Sequence, residues 1–222
     1  ILNPDSHITA TAIGIDVYAP GDFVSVYNAG EITAGMNGIS IYTKSEIKSS
    51  HIVNTGKIIT RGTDDQSSSG IVTGGMGQES TFVKNTGSIE SQGGVGSMNI
   101  VAVATDVTVE TTSESNLRVQ GPKSVNIKAS TELLNKYDYD TGKSTYLGGD
   151  ININAAGIIL NATNNAHNNF GIAAFYSQSA TITDWVIDDQ GEWQLVTAFT
   201  PRSDGLQGNV NIHFGHTLAD RI

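Results

Sequence analysis

Carboxylates and tryptophans crowd together near the end of the chain, in its densest group of residues that could perform chemistry. The group consists of Asp184, Trp185, Asp188, Asp189, Glu192 and Trp193. Two carboxylates can hydrolyse a glycosidic bond, and aromatic rings suit sugar stacking, so the acids are catalytic candidates and the tryptophans ligand-binding candidates. Asp188 and Asp189 would face opposite ways on a strand, and no acid recurs at repeat spacing to complete a pair. We therefore favour the interpretation that the tryptophans seal the end of a core and the acids surround it for solubility.

Acidic turns are the candidates for metal binding. Two pairs, Asp64 with Asp65 and Asp138 with Asp140, lie in polar turns, where oxygen ligands could hold calcium. Solvated acidic loops have the same composition, so we assign no metal site. We expect no cofactor. If these turns did bind one, it would be calcium.

The net charge of −10 limits the classes of partner. Nucleic acid is not expected, because phosphate binding needs clustered Lys and Arg. No segment approaches the roughly 18 consecutive apolar residues of a membrane span, so we expect no membrane insertion by this segment. Because the sequence starts at Ile1, we expect it to be a mature or excised piece of a longer polypeptide.

A repeat organises the elements that must carry these residues. The pattern Asn-x-Gly-x-Ile occurs at residues 28–32, 54–58 and 85–89, and a second element, Gly-Ile, recurs at 14–15, 38–39 and 70–71. Residues 98–100, Met-Asn-Ile, take the place of Gly-Ile in the third unit. The spacing is irregular, and polar insertions such as residues 61–69 account for this. A stack of coils tolerates insertions, because loops project sideways while the strands keep register.

Within each unit, short alternating runs are typical of strands with one buried face. The Asn and Gly mark a corner, because Gly accepts a positive φ and Asn tolerates the left-handed conformation. Stacked Asn side chains can form ladders between coils, so we expect Asn28, Asn54 and Asn85 at equivalent positions. We expect these residues to point inward: Val24, Val26, Ile32, Ile39, Ile41, Ile58, Ile71, Ile89, Ile100, Ile151 and Ile153.

The chain changes character twice after residue 106. Alternating strands continue to residue 162, interrupted by a polar excursion at 135–146 that we interpret as a projecting loop or hairpin. Residues 163–222 are richer in aromatics and lack the repeat. We therefore predict an all-β fold, a parallel β-helix or solenoid over residues 1–162, with an atypical C-terminal cap or less regular β region over 163–222.

The repeat style of residues 8–162 resembles that of the passenger domains of bacterial autotransporter and haemagglutinin-like adhesins. The Asn-x-Gly-x-Ile units carry the resemblance, and residues 148–154, Gly-Gly-Asp-Ile-Asn-Ile-Asn, look like the same kind of repeat. The resemblance implies a right-handed parallel β-helix displayed outside a cell, usually for adhesion. Phage tail spikes and tail fibres also contain β-solenoids, so an origin in a virion stays open.

The leading hypothesis is an extracellular structural or adhesive surface module that binds through an extended lateral face of the solenoid. Its partner would be a host or cell-surface glycan or protein, or another copy of the chain. Two alternatives stay open: a polysaccharide-degrading enzyme of tail-spike or lyase type, and a subunit of an extracellular fibre. We favour a protein without catalytic activity. A catalytic pair would need two carboxylates about 5–10 Å apart in an open groove.

Overall fold

Strands account for nearly all the regular structure in the computed structural model. It describes residues 1–18, 22–42, 48–63, 66–74, 78–131, 134–138, 143–147, 149–161, 169–175, 179–187, 193–201 and 209–214. The strands are β1 (His7–Ala10), β2 (Ile13–Val17), β3 (Phe23–Asn28), β4 (Glu31–Ala34), β5 (Asn37–Tyr42), β6 (Ser49–Asn54), β7 (Lys57–Arg61), β8 (Ser69–Gly74), β9 (Ser80–Asn85), β10 (Ser88–Gln92), β11 (Met98–Ala104), β12 (Asp106–Thr111), β13 (Asn116–Val119), β14 (Val125–Thr131), β15 (Leu134–Asp138), β16 (Lys143–Leu147), β17 (Ile151–Ala155), β18 (Ile158–Asn161), β19 (Phe170–Phe175), β20 (Ser179–Ile187), β21 (Trp193–Pro201) and β22 (Val210–Phe214). In the described part of the chain, no helix is long and apolar enough to cross a membrane.

Three parallel six-stranded sheets form the walls of a solenoid. Sheet A has the order β3-β6-β9-β12-β17-β22, sheet B the order β1-β4-β7-β10-β13-β18, and sheet C the order β2-β5-β8-β11-β14-β19. Along the solenoid the chain takes one strand from each of these sheets in turn and then starts the next coil. Every strand of the three sheets therefore pairs in parallel with its counterparts one coil away. This arrangement confirms the predicted parallel β-helix.

Columns of branched aliphatic side chains fill the space between the sheets. In sheet C the register stacks Ile15, Ile39, Ile71, Ile100, Ile127 and Ile172. In sheet B it stacks Ile8, Ile32, Ile58, Ile89, Leu117 and Ile159. All the residues predicted to point inward are buried, apart from Val24, which is half-buried against the core. The period-two prediction of the core is therefore confirmed.

A ladder of buried asparagines runs along the corner between sheets A and B. Asn28 Nδ2 donates to Asn54 Oδ1 at 2.7 Å, and Asn54 Nδ2 donates to Asn85 Oδ1 at 2.6 Å. Asn85 Nδ2 ends the run on the carbonyl oxygen of Gly87 at 3.0 Å. All three side chains are fully buried, so the predicted equivalence of the three Asn is confirmed.

The glycine of the same repeat has a different role from the predicted one. Gly30, Gly56 and Gly87 do not have a positive φ, and among the residues of this corner it is Gly157 that has one, at 93°. A Cβ on Gly56 would collide with the carbonyl oxygen of Gly30, and one on Gly87 with that of Gly56. The interpretation of a left-handed corner was wrong for these units, because close approach of the neighbouring coil's backbone is what requires glycine.

The Gly-Ile element locks one coil to the next by a similar close approach. A Cβ on Gly38 would strike Cγ2 of Ile58, and one on Gly70 would strike Cγ2 of Ile89. The Ile that ends Asn-x-Gly-x-Ile in one coil therefore packs over the Gly of Gly-Ile in the coil before it. The two repeated elements of the sequence are two halves of one contact.

Two antiparallel hairpins are inserted where sheet C passes into sheet A. The first, β15 with β16, lies between β14 and β17, at the position of the predicted polar excursion. The second, β20 with β21, lies between β19 and β22. Because β19 and β22 pair in parallel with β14 and β17, sheets C and A continue beyond residue 162. Whether residues 163–222 cap the core stays a prediction.

Candidate binding surfaces

The acidic and tryptophan residues singled out in the sequence fall on the second hairpin or outside the described residues. Asp184 and Trp185 belong to β20, where Trp185 is paired with Leu195 of β21. Trp193 begins β21 and is paired with Ile187. Asp188, Asp189 and Glu192 lie outside the described residues. The structure thus brings both tryptophans to one hairpin, while catalysis and end-capping by this group stay predictions.

The calcium candidates are placed only in part. Asp138 is the last residue of β15 and is paired with Lys143, whereas Asp64, Asp65 and Asp140 lie outside the described residues. In the described ranges, no three His, Cys, Asp or Glu side chains are grouped so that they could hold a metal ion. A calcium site at these turns stays a prediction.

Two acids that the sequence did not single out have a structural role. Asp106 Oδ1 accepts a hydrogen bond from the backbone N–H of Asp150 at 2.9 Å, one coil further on. Asp150 Oδ1 in turn accepts one from the backbone N–H of Asn209 at 2.6 Å. These carboxylates cap the starts of successive strands of sheet A. The sequence does not reveal this column, because its members are far apart along the chain.

The outer face of sheet A carries four aromatic side chains on its first three strands. Phe23 and Tyr27 of β3 are 61% and 38% exposed. His51 of β6 and Phe82 of β9 occupy the same register position, and their rings meet edge to face with centroids 4.7 Å apart. We call these four residues the aromatic face. Alternation places all of them outward, because successive side chains of a strand point to opposite faces.

Polar side chains continue the same outer face over β12, β17 and β22. Asn152 and Asn211 are exposed and joined by a hydrogen bond from Nδ2 of Asn211 to Oδ1 of Asn152 at 2.9 Å. Lys84 of β9 and Glu110 of β12 form an ion pair at 3.6 Å. Together with the aromatic face, these residues make one long lateral face that changes from apolar to polar along the solenoid axis.

A second surface feature is a groove of about 410 Å³ along the corner between sheets A and B. Its floor is made by the tight turns at residues 29–30 and 55–56 and by Gly87. Pro4 and Glu114, from longer turns at 3–6 and 112–115, line its two ends. Glu31, Lys57 and Ser88 line it in successive coils, and Lys57 Nζ lies 3.6 Å from Glu31 Oε2. We call this feature the corner groove.

Comparison with known proteins adds no relative to this description. No protein-family model, no curated protein and no solved structure matches the chain. The resemblance to adhesin passengers therefore rests on repeat style and stays a prediction. A proposal of function therefore depends on the surfaces of the molecule.

Proposed function

We propose that the protein is an extracellular structural and adhesive module that binds its partner through the lateral face of sheet A. The observation that supports this proposal is the aromatic face. Aromatic side chains dominate interface energetics because each can bury about 150–250 Å², and contiguous exposed apolar patches mark interaction sites. Here three of them, together with the imidazole of His51, lie on three adjacent strands about 4.8 Å apart.

The framework beneath this face favours binding without rearrangement. Each strand of sheet A is paired on its neighbours, and the inward side chains beneath β6 and β9, such as Ile52 and Val83, are fully buried. A rigid surface loses little conformational entropy on binding, so more of the contact energy remains as affinity. The edge-to-face contact of His51 and Phe82 restrains those two rings in the same way.

The partner that fits this proposal is a cell-surface glycan or protein. Aromatic rings serve either class, and the adjoining Asn and Thr side chains of β12, β17 and β22 offer hydrogen bonds. The net charge of −10 disfavours polyanions such as nucleic acid. Location at a bacterial outer surface or on a virion belongs to the same proposal.

An adhesion assay with exposed-aromatic variants tests it. The chain would be immobilised on beads and its adhesion to panels of bacterial and mammalian cells would be measured. The triple change Phe23→Ser, Tyr27→Ser and Phe82→Ser should abolish most of the adhesion, because it removes the apolar contact area of the lateral face. The double change Tyr18→Ser and Tyr42→Ser is the matched control, since both rings are more than half exposed and belong to the sheet C side.

Loss of adhesion in the triple variant alone supports the proposal. Equal adhesion of the triple variant and the unchanged chain would overturn it, as would a wild-type chain that adheres to none of the cells. Thermal unfolding of each variant, followed by circular dichroism, checks that the solenoid is intact.

A further inference from the structure

The corner groove is a separate surface from the lateral face, and its chemistry points to a ligand of its own. We propose that it binds a neutral oligosaccharide of two or three sugar residues lying along the solenoid axis.

The size of the groove sets the length of the ligand. Neighbouring strands of a sheet lie about 4.8 Å apart, so the coils that contribute Glu31, Lys57 and Ser88 span about 10 Å between the first and the last. The turns that carry Pro4 and Glu114 extend the groove by one coil on either side and line its ends. A volume of about 410 Å³ falls within the range of small-ligand sites, and a groove of this length suits a short segment of chain.

The side chains of the groove alternate in hydrogen-bonding type along its length. Glu31 accepts, Lys57 donates and Ser88 does both. The three share one register position in successive coils, and His7 occupies the same position one coil before Glu31. A ligand that lies across all three must therefore place a donor at Glu31, an acceptor at Lys57, and either a donor or an acceptor at Ser88. A hydroxyl group is both donor and acceptor, so a chain of sugar hydroxyls satisfies every position.

The central ion pair of the groove favours a neutral ligand over its middle, while the carboxylate of Glu114 and the imidazole of His7 lie toward its ends. The ammonium of Lys57 lies 3.6 Å from the carboxylate of Glu31, so each charge is already partly compensated. Both side chains are about half exposed, which leaves them free to reorient toward hydroxyl groups. Neither an anionic nor a cationic ligand would find an uncompensated partner at this pair.

The backbone of the groove floor excludes an extended peptide bound by strand addition. The N–H groups of Gly56 and Lys57 donate to the carbonyl oxygens of Asn28 and Gly30, and those of Gly87 and Ser88 repeat the pattern one coil on. Strand addition requires free main-chain groups along an edge, and here the turns have used theirs on one another. Side chains must therefore recognise the ligand, and the glycines at the bottom of the groove leave space for it because they have no side chain.

Titration of the full chain with defined trisaccharides tests the proposal. The probes are trisaccharides of β-1,4-linked glucose, β-1,4-linked N-acetylglucosamine and α-1,4-linked glucose, with 3′-sialyllactose, a chitosan trisaccharide and trialanine as charged and peptide arms. Amide chemical shifts would be followed by NMR at ligand concentrations up to about 10 mM, which detects millimolar dissociation constants. At least one neutral trisaccharide should shift the amides of Gly30, Gly56 and Gly87 saturably.

Two matched lysine variants locate the site. Lys57→Gln should weaken that binding by about tenfold or more, because it removes a charged hydrogen-bond donor from the groove. Lys84→Gln is the control and should leave binding within about twofold, since Lys84 forms an ion pair of the same 3.6 Å length and similar exposure on the lateral face.

Several outcomes would overturn the proposal. They are saturable shifts at these glycines with a charged or peptide probe but with no neutral one, absence of such shifts with every probe, and equal weakening by Lys57→Gln and Lys84→Gln. The variants that test the adhesive proposal, at Phe23, Tyr27 and Phe82, lie outside the groove lining. Failure of either proposal is therefore distinguishable from failure of the other.

Discussion

At the scale of the residue, the corner glycine shows how a backbone neighbour dictates an amino acid. Gly56 has no room for a Cβ beside the carbonyl groups of Ala29 and Gly30. We expect Gly56→Ala to lower the free energy of unfolding by more than about 2 kcal/mol, because backbone atoms of the adjacent coil would have to move apart. Thr55→Ala in the same turn, at an exposed position, should change it by less than about 1 kcal/mol. Urea denaturation of both variants measures the difference, and equal stability would contradict the close-approach explanation.

The asparagine ladder gives a second prediction at this scale. Asn54→Ala removes one acceptor and one donor at once, and it leaves Asn28 Nδ2 and Asn85 Oδ1 buried without these partners. An unpaired buried polar group costs about 1–3 kcal/mol, so the free energy of unfolding should fall by about 2–5 kcal/mol. Asn152→Ala breaks a similar Asn-to-Asn bond on the exposed face and should cost less than about 1 kcal/mol. Chemical denaturation that ranks the two variants in the opposite order would refute this assignment.

The sequence revealed the first ladder and concealed another. Asn28, Asn54 and Asn85 recur inside one repeated pattern, so their stacking could be predicted. Asn99 and Asn126 form a second buried contact, with Asn99 Nδ2 donating to Asn126 Oδ1 at 2.6 Å, yet they replace glycine in the Gly-Ile element and share no further pattern. The reason for glycine at position 56 was also hidden, because the atoms that crowd it belong to residues one coil away.

At the scale of the element, each strand is held by its two neighbours, and the end strands have only one. Ile39 and Ile15 occupy the same column of sheet C, but Ile39 is fully buried and Ile15 is only half-buried in the first coil. Ile39→Ala should cost about 2–5 kcal/mol, and Ile15→Ala clearly less, because less apolar surface is removed from its neighbours. Thermal and urea unfolding of the pair check this gradient. Equal costs would show that the ends are packed as tightly as the middle.

Strand positions were largely predictable, whereas the second hairpin and the corner groove were not. Period-two alternation around Ile39 and Ile151 is a local property that one sequence displays in full. The second hairpin was missed because β20 and β21 bond to each other rather than to the repeat, so the repeat carries no sign of them. The corner groove could not be foreseen either, since its walls come from turns of different length that become neighbours only when the coils stack.

At the scale of the whole molecule, one prediction concerns catalysis. We predict no cleavage of bacterial or host polysaccharides. Glu31 and Glu114 both line the corner groove, but they belong to coils three strands apart in register, or about 14 Å at the spacing of paired strands. The backbone positions of the two residues are therefore further apart than the 5–10 Å at which two carboxylates cooperate. Incubation with a polysaccharide panel, followed by assays of reducing ends and unsaturated products, tests the prediction. Activity that disappears with Asp188→Asn or Asp189→Asn would instead establish the enzyme.

Sheet C passes into sheet A through a single residue, Thr105, between β11 and β12, and through whole hairpins one and two coils later. The corner between sheets A and B keeps turns of two to four residues throughout. One edge of the molecule therefore accommodates connections from a single residue to a whole hairpin, while another has no room for a methyl group at Gly56. In such a scaffold, sequence changes in the projecting loops are separated from the contacts that hold the coils together. The loops between sheets C and A can therefore change during evolution, or be replaced by a grafted loop, while the contacts between coils stay the same.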